Sequence, residues 1–369
     1  MFNIFKPKKY SGIDIGTSSI KLVELKHEGE KIVLNTYGEL RIAGKAEGSN
    51  KIIDIMHIPE KQLIDMLRQL MIATRSTAKD AVFSLPVFST FITLIDLPFM
   101  EKQELANSLV FEAKKYIPVP MEEVQFSWSV VENISGLPEQ MSASSKRSSP
   151  LLSAQLDAPS NKMQVLLVAV PNEIISKYKN IAKSLGVNAS FEIETFSLVR
   201  SLVKKGIDDK GVVVIVDMGF KSTEICLIDG GLLRLSHNFE TSGASLTKAL
   251  STSLNVSFDG AEDLKTKKGL KLSISEKSAL DSLMPLIDMI VFEIERTIIN
   301  YHQRTGRRAQ KIILSGGTAN MSGIVDYFSN HLGVVVTVAD PFFRVSCPSS
   351  LNQNLRDLGP TFSVAVGLA

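Results

Sequence analysis

The alternation of apolar and polar positions in residues 11–40 predicts three consecutive strands that form an antiparallel meander. The first strand carries Asp14 between Ile13 and Ile15, and a polar turn at residues 16–19 leads into the second strand. Because side chains alternate along a strand, Asp14 lies on the opposite face from the two isoleucines. The turn begins with a glycine, which adopts backbone conformations that most residues avoid. The pattern therefore predicts a hairpin with a polar tip.

The pattern restarts after a first helix and strand. Apolar residues at helical spacing predict a helix from Pro59, and a buried strand follows at residues 81–85. The order strand, helix, strand, long loop, strand and helix then predicts a small inserted α+β subdomain at residues 86–186. Its loop, residues 133–161, is rich in Ser, Pro, Ala and Gln, a composition that cannot bury a core. We expect a flexible surface loop there.

Residues 211–236 repeat the opening pattern. A buried strand ends at Asp217 and Gly219, a polar tip follows at residues 220–223, and two more strands complete a second meander. An internal repeat is more specific than either copy alone. Two hairpins that each carry an Asp on the strand and hydroxyls at the tip can hold a polyphosphate from opposite sides, because hydroxyls and backbone N–H groups donate to phosphate oxygens.

Composition excludes several classes of function. The chain has 369 residues and a net charge of +2, which suits a globular protein of about two domains and offers no face for nucleic acid. Cys226 and Cys347 stand alone, so we expect neither a disulfide nor a cysteine metal site, as is usual in a reducing compartment. No run reaches the roughly 20 apolar residues of a membrane span, and no signal peptide is recognisable. Phe2, Ile4 and Phe5 beside lysines allow contact with an anionic membrane surface, although a frayed or docked terminus is the favoured interpretation.

Three motifs occur in order along the chain: GIDIGTSS (Gly12–Ser19), VDMGFKST (Val216–Thr223) and LSGGTA (Leu314–Ala319). They resemble the phosphate-one, phosphate-two and adenosine motifs of the actin-like ATPase superfamily, which includes actin, heat-shock chaperones, sugar kinases, MreB and FtsA. The resemblance covers nearly the whole chain. It implies an α/β, two-lobed actin-like (ribonuclease H-like) ATPase fold with a small inserted α+β subdomain, and ATP with Mg²⁺ in the cleft between the lobes.

The same resemblance implies a division of the chain. The first-lobe core takes residues 1–85, completed by 187–206, and the inserted subdomain takes 86–186. The second-lobe core takes 207–236 and 306–369, and a helical second-lobe subdomain takes 237–305.

Shorter segments resemble the PilM family of type IV pilus assembly proteins. They are FKPKK (5–9), KLVEL (21–25), FEAKKYIP (111–118), LVAVP (167–171) and VAVGLA (364–369). This resemblance implies a cytoplasmic, ATP-binding adaptor at the inner face of the inner membrane. Its implied partners are the cytoplasmic N-terminal peptide of the membrane protein PilN, through which it reaches the membrane indirectly, and the pilus motor ATPases.

The resemblance places the peptide groove between the first subdomain and the 86–186 insertion. Leu105, Leu109 and Tyr116 share one face of a predicted helix in that insertion. They either line the groove or belong to the core.

The resemblance also implies roles for single residues. Asp14 and Asp217 hold Mg²⁺ through water, since magnesium keeps several waters and takes few carboxylates. Gly243 lets a helix start approach the phosphates. The implied phosphate contacts are Gly16, Thr17, Ser18, Ser19, Lys21, Gly219, Lys221, Ser222 and Thr223, and the implied nucleoside contacts are Glu262, Lys265, Gly316, Gly317 and Thr318.

Alternatives remain for the charged members of this set. Lys21 and Lys221 are otherwise ordinary solvated lysines, and Glu262 with Lys265 is otherwise an exposed helix pair at three-residue spacing. No residue stands out as a catalytic base, so we expect an ATPase that is slow at most, with the nucleotide acting as a structural switch. His237 and His302 are more typical of surface or core histidines than of bases.

Two other functions fit the superfamily. An FtsA-like division filament protein is disfavoured because no C-terminal amphipathic membrane helix precedes Ala369. A small-molecule kinase requires a sugar-binding acid in the cleft, and none is evident in the sequence.

Overall fold

A computed structural model describes residues 8–41, 58–134, 162–204, 206, 208, 210–271 and 277–369. The strands are β1 (Lys8–Ile15), β2 (Ser19–Glu28), β3 (Lys31–Arg41), β4 (Asp80–Leu85), β5 (Phe91–Pro98), β6 (Val124–Ile134), β7 (Lys162–Pro171), β8 (Asn188–Ile193), β9 (Val212–Met218), β10 (Thr223–Asp229), β11 (Leu232–Phe239), β12 (Ala309–Ser315), β13 (Val335–Val338) and β14 (Val345–Ser346). The helices are α1 (Glu60–Thr74), α2 (Lys102–Ala113), α3 (Asn172–Leu185), α4 (Glu194–Leu202), α5 (Gly243–Leu254), α6 (Phe258–Lys267), α7 (Lys277–Thr305), α8 (Ile324–Leu332) and α9 (Asn352–Leu368).

The chain divides into two compact units. The larger unit takes Met1–Ser89 and Ile174–Ala369, and the smaller takes Thr90–Glu173. The finer division into lobes, and the predicted limits of the insertion at residues 86 and 186, stay predictions. The N-terminal residues Phe2, Ile4 and Phe5 and nearly all of the predicted loop 133–161 lie outside the described residues; only its first two residues are described, at the end of β6.

The first sheet of the larger unit has the order β14-β3-β2-β1-β4-β8. β1, β2 and β3 are antiparallel neighbours, and β4 runs parallel to β1, so the predicted meander is confirmed. The predicted first helix is confirmed as α1, which buries Leu63, Leu67 and Leu70 along one face.

Glu24 ties this sheet to the chain that enters β4. Its carboxylate is fully buried and accepts hydrogen bonds from the Thr77 and Ala78 N–H groups at 2.7 and 2.9 Å and from the Ser76 hydroxyl at 2.8 Å. The Lys9 ammonium lies 3.3 Å away. Burial by itself raises the pKa of Glu24, but these donors outweigh it and hold the pKa below its ordinary value.

The second sheet has the order β11-β10-β9-β12-β13. β9, β10 and β11 form an antiparallel meander and β12 runs parallel to β9, so the predicted repeat of the first meander is confirmed. Both faces of this sheet are covered, which explains the continuous apolar run in β9. Val214 and Val216 pack in one core with α7, whereas Val213 and Ile215 pack in another with α4 and α9.

The helix α9 packs in the cores of both sheets. Phe362 and Ala365 belong to a cluster with β2 and β3, while Val364 and Leu368 belong to a cluster with β9, β10 and β12. The approach is close: a Cβ atom on Gly12 of β1 would lie 2.0 Å from the Ala365 carbonyl oxygen. α9 forms although it contains Pro360, a residue that by itself argues against the interior of a helix.

The smaller unit is a three-stranded antiparallel sheet with the order β5-β7-β6. Leu105 and Leu109 of α2 are buried against it, so they belong to its core, whereas Tyr116 just beyond α2 is 49% exposed. Among the helices of the described ranges, none has both the length and the apolar character needed to cross a membrane.

Candidate functional site

The two predicted hairpin tips have the same backbone turn. The Gly16 N–H donates to the Ser19 carbonyl at 3.1 Å, and the Gly219 N–H donates to the Ser222 carbonyl at 3.0 Å. Asp14, the first-hairpin aspartate, lies two residues before its glycine, as the second aspartate does. The internal repeat is therefore a repeat of three-dimensional structure.

Both tips line one cavity of about 470 Å³ within the larger unit. The predicted site residues that line it are Asp14, Gly16, Thr17, Ser18, Ser19, Lys21, Asp217, Gly219, Lys221, Ser222, Gly243, Glu262, Lys265, Gly316, Gly317 and Thr318. Sequence positions more than 300 residues apart are thus brought to one place by the two sheets.

Thr223 is the predicted site residue that does not line the cavity. Its side chain is fully buried, and its hydroxyl donates to the Thr241 carbonyl at 2.6 Å. The physical reason is strand alternation, because Thr223 begins β10 and points to the face opposite Ser222 and Glu224.

Asp14 is held in place by the neighbouring parallel strand. It is 5% exposed, and its Oδ1 accepts a hydrogen bond from the Ser84 hydroxyl of β4 at 2.9 Å. Ser84 in turn accepts the Ile15 N–H at 3.2 Å. The Lys21 ammonium, opposite Asp14 in the register of β1 and β2, lies 3.6 Å from Oδ2. Lys21 therefore faces the cavity as the partner of an acid, which differs from an ordinary solvated lysine.

Asp217 occupies the matching place on β9. Burial raises its pKa to about 7 against the hydrogen bond from Ser315, and the charges of Glu224 and Asp14 act in the same direction as burial while Lys21 opposes them. Ser315 lies beside Asp217 in the register of β12 and β9. A carboxylate in this environment is stabilised by any cation that enters the cavity.

Glu224 and Glu194 are among the other carboxylates that line the cavity and that the sequence did not indicate. Glu224 lies opposite Asp217 on β10 and accepts hydrogen bonds from the hydroxyls of Thr195 at 2.5 Å and Ser236 at 2.8 Å. Burial raises the pKa of Glu224 although these hydroxyls lower it. The register of the repeat could have revealed Glu224, since it takes the place that Lys21 has in the first hairpin.

Glu194, the first residue of α4, is another carboxylate that the sequence did not indicate. It accepts the Val87 N–H at 3.4 Å. Burial raises its pKa well above the ordinary value, and the charges of Asp14, Glu224 and Asp217 add to that effect. No local pattern distinguishes Glu194 from any acidic residue at a helix start, so the sequence alone could not have found it.

The start of α5 is fixed to the second hairpin. The N–H groups of Gly243 and Ala244 donate to the carbonyls of Gly219 and Phe220 at 2.9 and 3.0 Å. A Cβ on Gly243 would lie 2.7 Å from the Thr318 hydroxyl, so only glycine fits there. The helix start lines the cavity at Gly243, but these two N–H groups are already used by the protein, and an approach to phosphates stays a prediction.

Lys265 has a structural environment that the resemblance did not imply. Its ammonium lies 2.8 Å from the Glu262 carboxylate, 2.9 Å from the Thr247 hydroxyl and 3.2 Å from the Gly243 carbonyl. A lysine has three N–H donors, so all of them have protein partners. Burial lowers the pKa of Lys265, while Glu262 opposes this shift. Lys265 is thus neither exposed nor free to donate to a ribose; it fixes α6 to the start of α5.

The Gly316-Gly317 turn lies close to the second hairpin. Gly316 has φ of 83°, and a Cβ there would lie 2.4 Å from the Met218 carbonyl oxygen. Its N–H donates to the Pro360 carbonyl of α9 at 2.9 Å. At Gly317 a Cβ would meet no atom closer than 4.0 Å, so the backbone there is open to the cavity.

His237 and His302 lie away from the cavity. A ring nitrogen of His237 is 3.3 Å from the Glu293 carboxylate, and one of His302 is 3.2 Å from the Arg307 carbonyl. Among the described residues, no group of three or more His, Cys, Asp or Glu side chains is placed to ligate a metal directly. The donor set of the cavity suits a phosphate chain, and its acids suit a cation that keeps its water shell.

Relatives share this architecture. The cell division protein FtsA of Enterococcus faecalis is 23% identical over 89% of this chain and 80% of its own length. A solved PilM-PilN type IV pilus biogenesis complex matches with a TM-score of 0.78 at 20% identity, over 97% of both chains. MreB5 of Spiroplasma citri bound to AMPPNP matches with a TM-score of 0.51 at 13% identity, over 98% of this chain and 94% of MreB5.

These similarities confirm the predicted actin-like ATPase fold. The model of one family, described as type IV pilus assembly protein PilM, matches residues 12–147 and 151–369. The chain therefore belongs to the PilM family of type IV pilus assembly proteins.

Proposed function

We propose that this chain binds ATP with Mg²⁺ in the cavity and acts as a nucleotide-dependent adaptor of the pilus assembly platform. The observation that carries the proposal is that two hairpins with the same turn, each bearing an aspartate, line one cavity. MreB5 of Spiroplasma citri, a protein of the same fold, is bound to AMPPNP, which supports a nucleotide as the ligand here.

The hairpin tips supply the phosphate contacts in this proposal. The hydroxyls of Thr17, Ser18, Ser19 and Ser222 and the backbone around Gly16 and Gly219 donate to phosphate oxygens, and Lys21 and Lys221 add positive charge. Asp14 and Asp217 hold the metal through water. Bound Mg²⁺ neutralises phosphate charge, and it relieves the repulsion among the buried carboxylates.

The nucleoside lies against the glycine turn and α6 in this proposal. Gly316, Gly317 and Thr318 form one wall, and Glu262 presents a carboxylate that is 42% exposed. Since Lys265 has no free donor, it contributes by positioning Glu262 and Gly243. We expect ribose hydroxyls to donate to the second oxygen of Glu262.

Glu194 is well placed to accept a proton from a water in the cavity, since it lines the cavity and its raised pKa makes its carboxylate a stronger base. Glu224 is held by two hydroxyls. We expect slow hydrolysis. Glu194→Gln should lower turnover at least ten-fold while leaving the Kd for MgATP within two-fold, measured by phosphate release and calorimetry.

The proposed partner is the cytoplasmic N-terminal peptide of PilN, with the pilus motor ATPases as further partners at the inner face of the inner membrane. The PilM-PilN complex among the solved structures supports this choice. Isothermal titration calorimetry with MgATP, followed by fluorescence polarisation with a PilN N-terminal peptide in the presence and absence of nucleotide, tests both parts. A scrambled peptide is the control.

Each part has a distinct contrary result. Equal peptide affinity with and without nucleotide would contradict the nucleotide-dependent switch but leave the adaptor role intact. Titrations with MgATP that release no heat of binding would contradict the nucleotide site. The similarity to FtsA makes a filament-forming protein the second candidate. If the chain pellets on ultracentrifugation with MgATP, at concentrations where MreB-type filaments pellet, that result would favour the filament-forming candidate.

A further inference from the structure

Residues 86–89 connect the cavity to the start of the smaller unit. β4 ends at Leu85, a short 3₁₀ turn takes Val87–Ser89, and the smaller unit begins at Thr90. The turn is closed by the Ser89 N–H and the Ser89 hydroxyl, which both donate to the Pro86 carbonyl at 3.2 and 3.0 Å. Val87 and Phe88 line the cavity.

Two cavity residues hold this connector. The Val87 N–H donates to Glu194, which lines the cavity from α4. The Lys221 ammonium at the tip of the second hairpin lies 4.8 Å from the centre of the Phe88 ring. A cation over an aromatic face at this distance is attracted to it. The first contact comes from an acid and the second from a cation, and both groups face the place where the proposed nucleotide binds.

A phosphate and the Phe88 ring compete for the same cation. Lys221 belongs to the phosphate-binding tip in the proposed function, and a charge-assisted bond to a phosphate oxygen is stronger than an exposed cation–π contact. Phe88 is 37% exposed, so its ring is not held by a packed core. Phosphate binding can therefore take Lys221 from the ring at little structural cost.

We propose that Phe88 and Lys221 form a latch that nucleotide opens, so that occupancy of the cavity is transmitted to the connector at residues 86–89 and on to strand β5. This inference rests on the proposed nucleotide function and names its regulation. Lys221 is a phosphate contact when nucleotide is bound, and Phe88 is a positioning residue that acts through Lys221.

The latch makes a prediction that a plain binding role for Phe88 does not. Phe88→Leu removes the aromatic face but keeps an apolar side chain, so Lys221 loses the cation–π contact that competes with phosphate. The Kd for MgAMPPNP should become about two- to five-fold tighter, the fold-change that corresponds to an exposed cation–π contact. Lys221→Met should weaken binding, because it removes the phosphate contact itself.

The chain offers a matched control in the same unit. The Lys204 ammonium lies 4.9 Å from the centre of the Phe343 ring, and Phe343 does not line the cavity. Phe343→Leu removes a contact of the same kind and should leave the Kd for MgAMPPNP within 1.5-fold of wild type, roughly the error of the titration and well below the change expected for an open latch.

Hydrogen exchange of the full chain, with and without MgAMPPNP, tests the transmission. In the wild type we expect exchange at residues 86–92 to become at least three-fold faster with nucleotide, while residues 14–21 and 217–223 become slower. Phe88→Leu should show the fast connector without nucleotide and lose the response, and Phe343→Leu should respond as the wild type does.

The two failures are distinguishable. If the hairpins at 14–21 and 217–223 gain no protection, the nucleotide function is wrong and the latch falls with it. If they gain protection while the connector is unchanged or slower, or if Phe88→Leu weakens binding, nucleotide binding stands and the latch is wrong. A Phe88→Leu protein that fails to fold is replaced by Phe88→Met, which has the same expected results.

Discussion

The two hairpins share a backbone but differ in charge. In each, an aspartate precedes a glycine turn by two residues and lies beside a serine of the neighbouring parallel strand, Ser84 for Asp14 and Ser315 for Asp217. The residue seven positions after the aspartate, directly opposite it, is Lys21 in the first hairpin and Glu224 in the second.

The two copies of the repeat therefore have the same backbone geometry but opposite charges at the position facing the aspartate. In the first hairpin the Lys21 ammonium lies opposite Asp14 and offsets its charge. The second sets two acids against each other, which is part of why the pKa of Asp217 rises to about 7. Lys221 at the tip of this hairpin adds positive charge, but a cation that enters the cavity would also relieve the repulsion between the two acids. Both aspartates hold the metal in the proposed function, and we expect the second hairpin to contribute more of the metal dependence than the first.

The largest expected effect is a loss of folding stability when Glu24, in the second strand of the first hairpin, is replaced. Glu24→Ala leaves the buried Ala78 N–H group without its acceptor and also removes the acceptor of the Thr77 N–H and the Ser76 hydroxyl, so the free energy of unfolding should fall by about 3 kcal/mol. Urea unfolding followed by circular dichroism measures it. Glu28→Ala, at the exposed end of the same strand, is the control and should change the unfolding free energy by less than about 0.5 kcal/mol.

The same residue gives a pH dependence. Because the folded-state pKa of Glu24 is lowered, its stabilisation is fully present above the ordinary glutamate pKa of about 4.3 and is lost as pH falls through the lower folded value. The difference between wild type and Glu24→Gln should therefore shrink on acidification. A difference that grows toward acid pH would contradict the hydrogen-bonded carboxylate.

The next effect separates the hairpins by their need for metal. Asp217→Asn should weaken ATP binding about 100-fold in Mg²⁺, or ~2.7 kcal/mol, and should make the remaining affinity independent of Mg²⁺. Calorimetry in Mg²⁺ and in EDTA measures both. Asp65→Asn on the exposed side of α1 should bind as wild type. An Asp217→Asn protein that still gains affinity from Mg²⁺ would place the metal elsewhere.

A smaller effect tests the charge difference itself. Lys21→Met should weaken ATP binding about ten-fold with and without Mg²⁺, since it removes one charge-assisted contact. Glu224→Gln should instead strengthen binding in EDTA, because it removes a negative charge near the phosphates. The comparison of the hairpins is wrong if the two variants change ATP affinity in the same direction in EDTA.

The smallest effect tests the alternation within one tip. Ser222→Ala removes a cavity hydroxyl and should weaken MgATP binding about three-fold. Thr223→Val should leave the affinity unchanged and lower the unfolding free energy by about 1 kcal/mol, because its hydroxyl bonds the Thr241 carbonyl. Calorimetry and urea unfolding of the two variants separate these roles. A loss of MgATP affinity in Thr223→Val would show that Thr223 contributes to binding after all.

The structure shows which features of the fold and of the candidate site the sequence could predict. Both meanders and their tips follow from alternation and glycine turns, and the repeat made them recognisable. Thr223 was placed in the site because the motif was matched position by position; alternation along β10 would have excluded it. Glu224 could have been found from the register of the repeat.

Other features depended on contacts between distant parts of the chain. Glu194 reaches the cavity only because α4 packs behind both sheets. Its pKa is raised in part by the charges of acidic residues on three other elements. The buried Lys265 looks like any exposed helix lysine until α5 is placed beside α6. The helix α9 contains Gly359 and Pro360, and only its packing explains why it forms there.

The position of α9 also bears on how the protein is made. Its residues 362–368 complete the core behind β2 and β3 and the core behind β9, β10 and β12. All strands of both sheets are synthesised before this helix leaves the ribosome, so neither core can close while the chain is being translated up to that point. We expect the nascent chain to keep apolar sheet faces open until then, and to depend on chaperones during that interval.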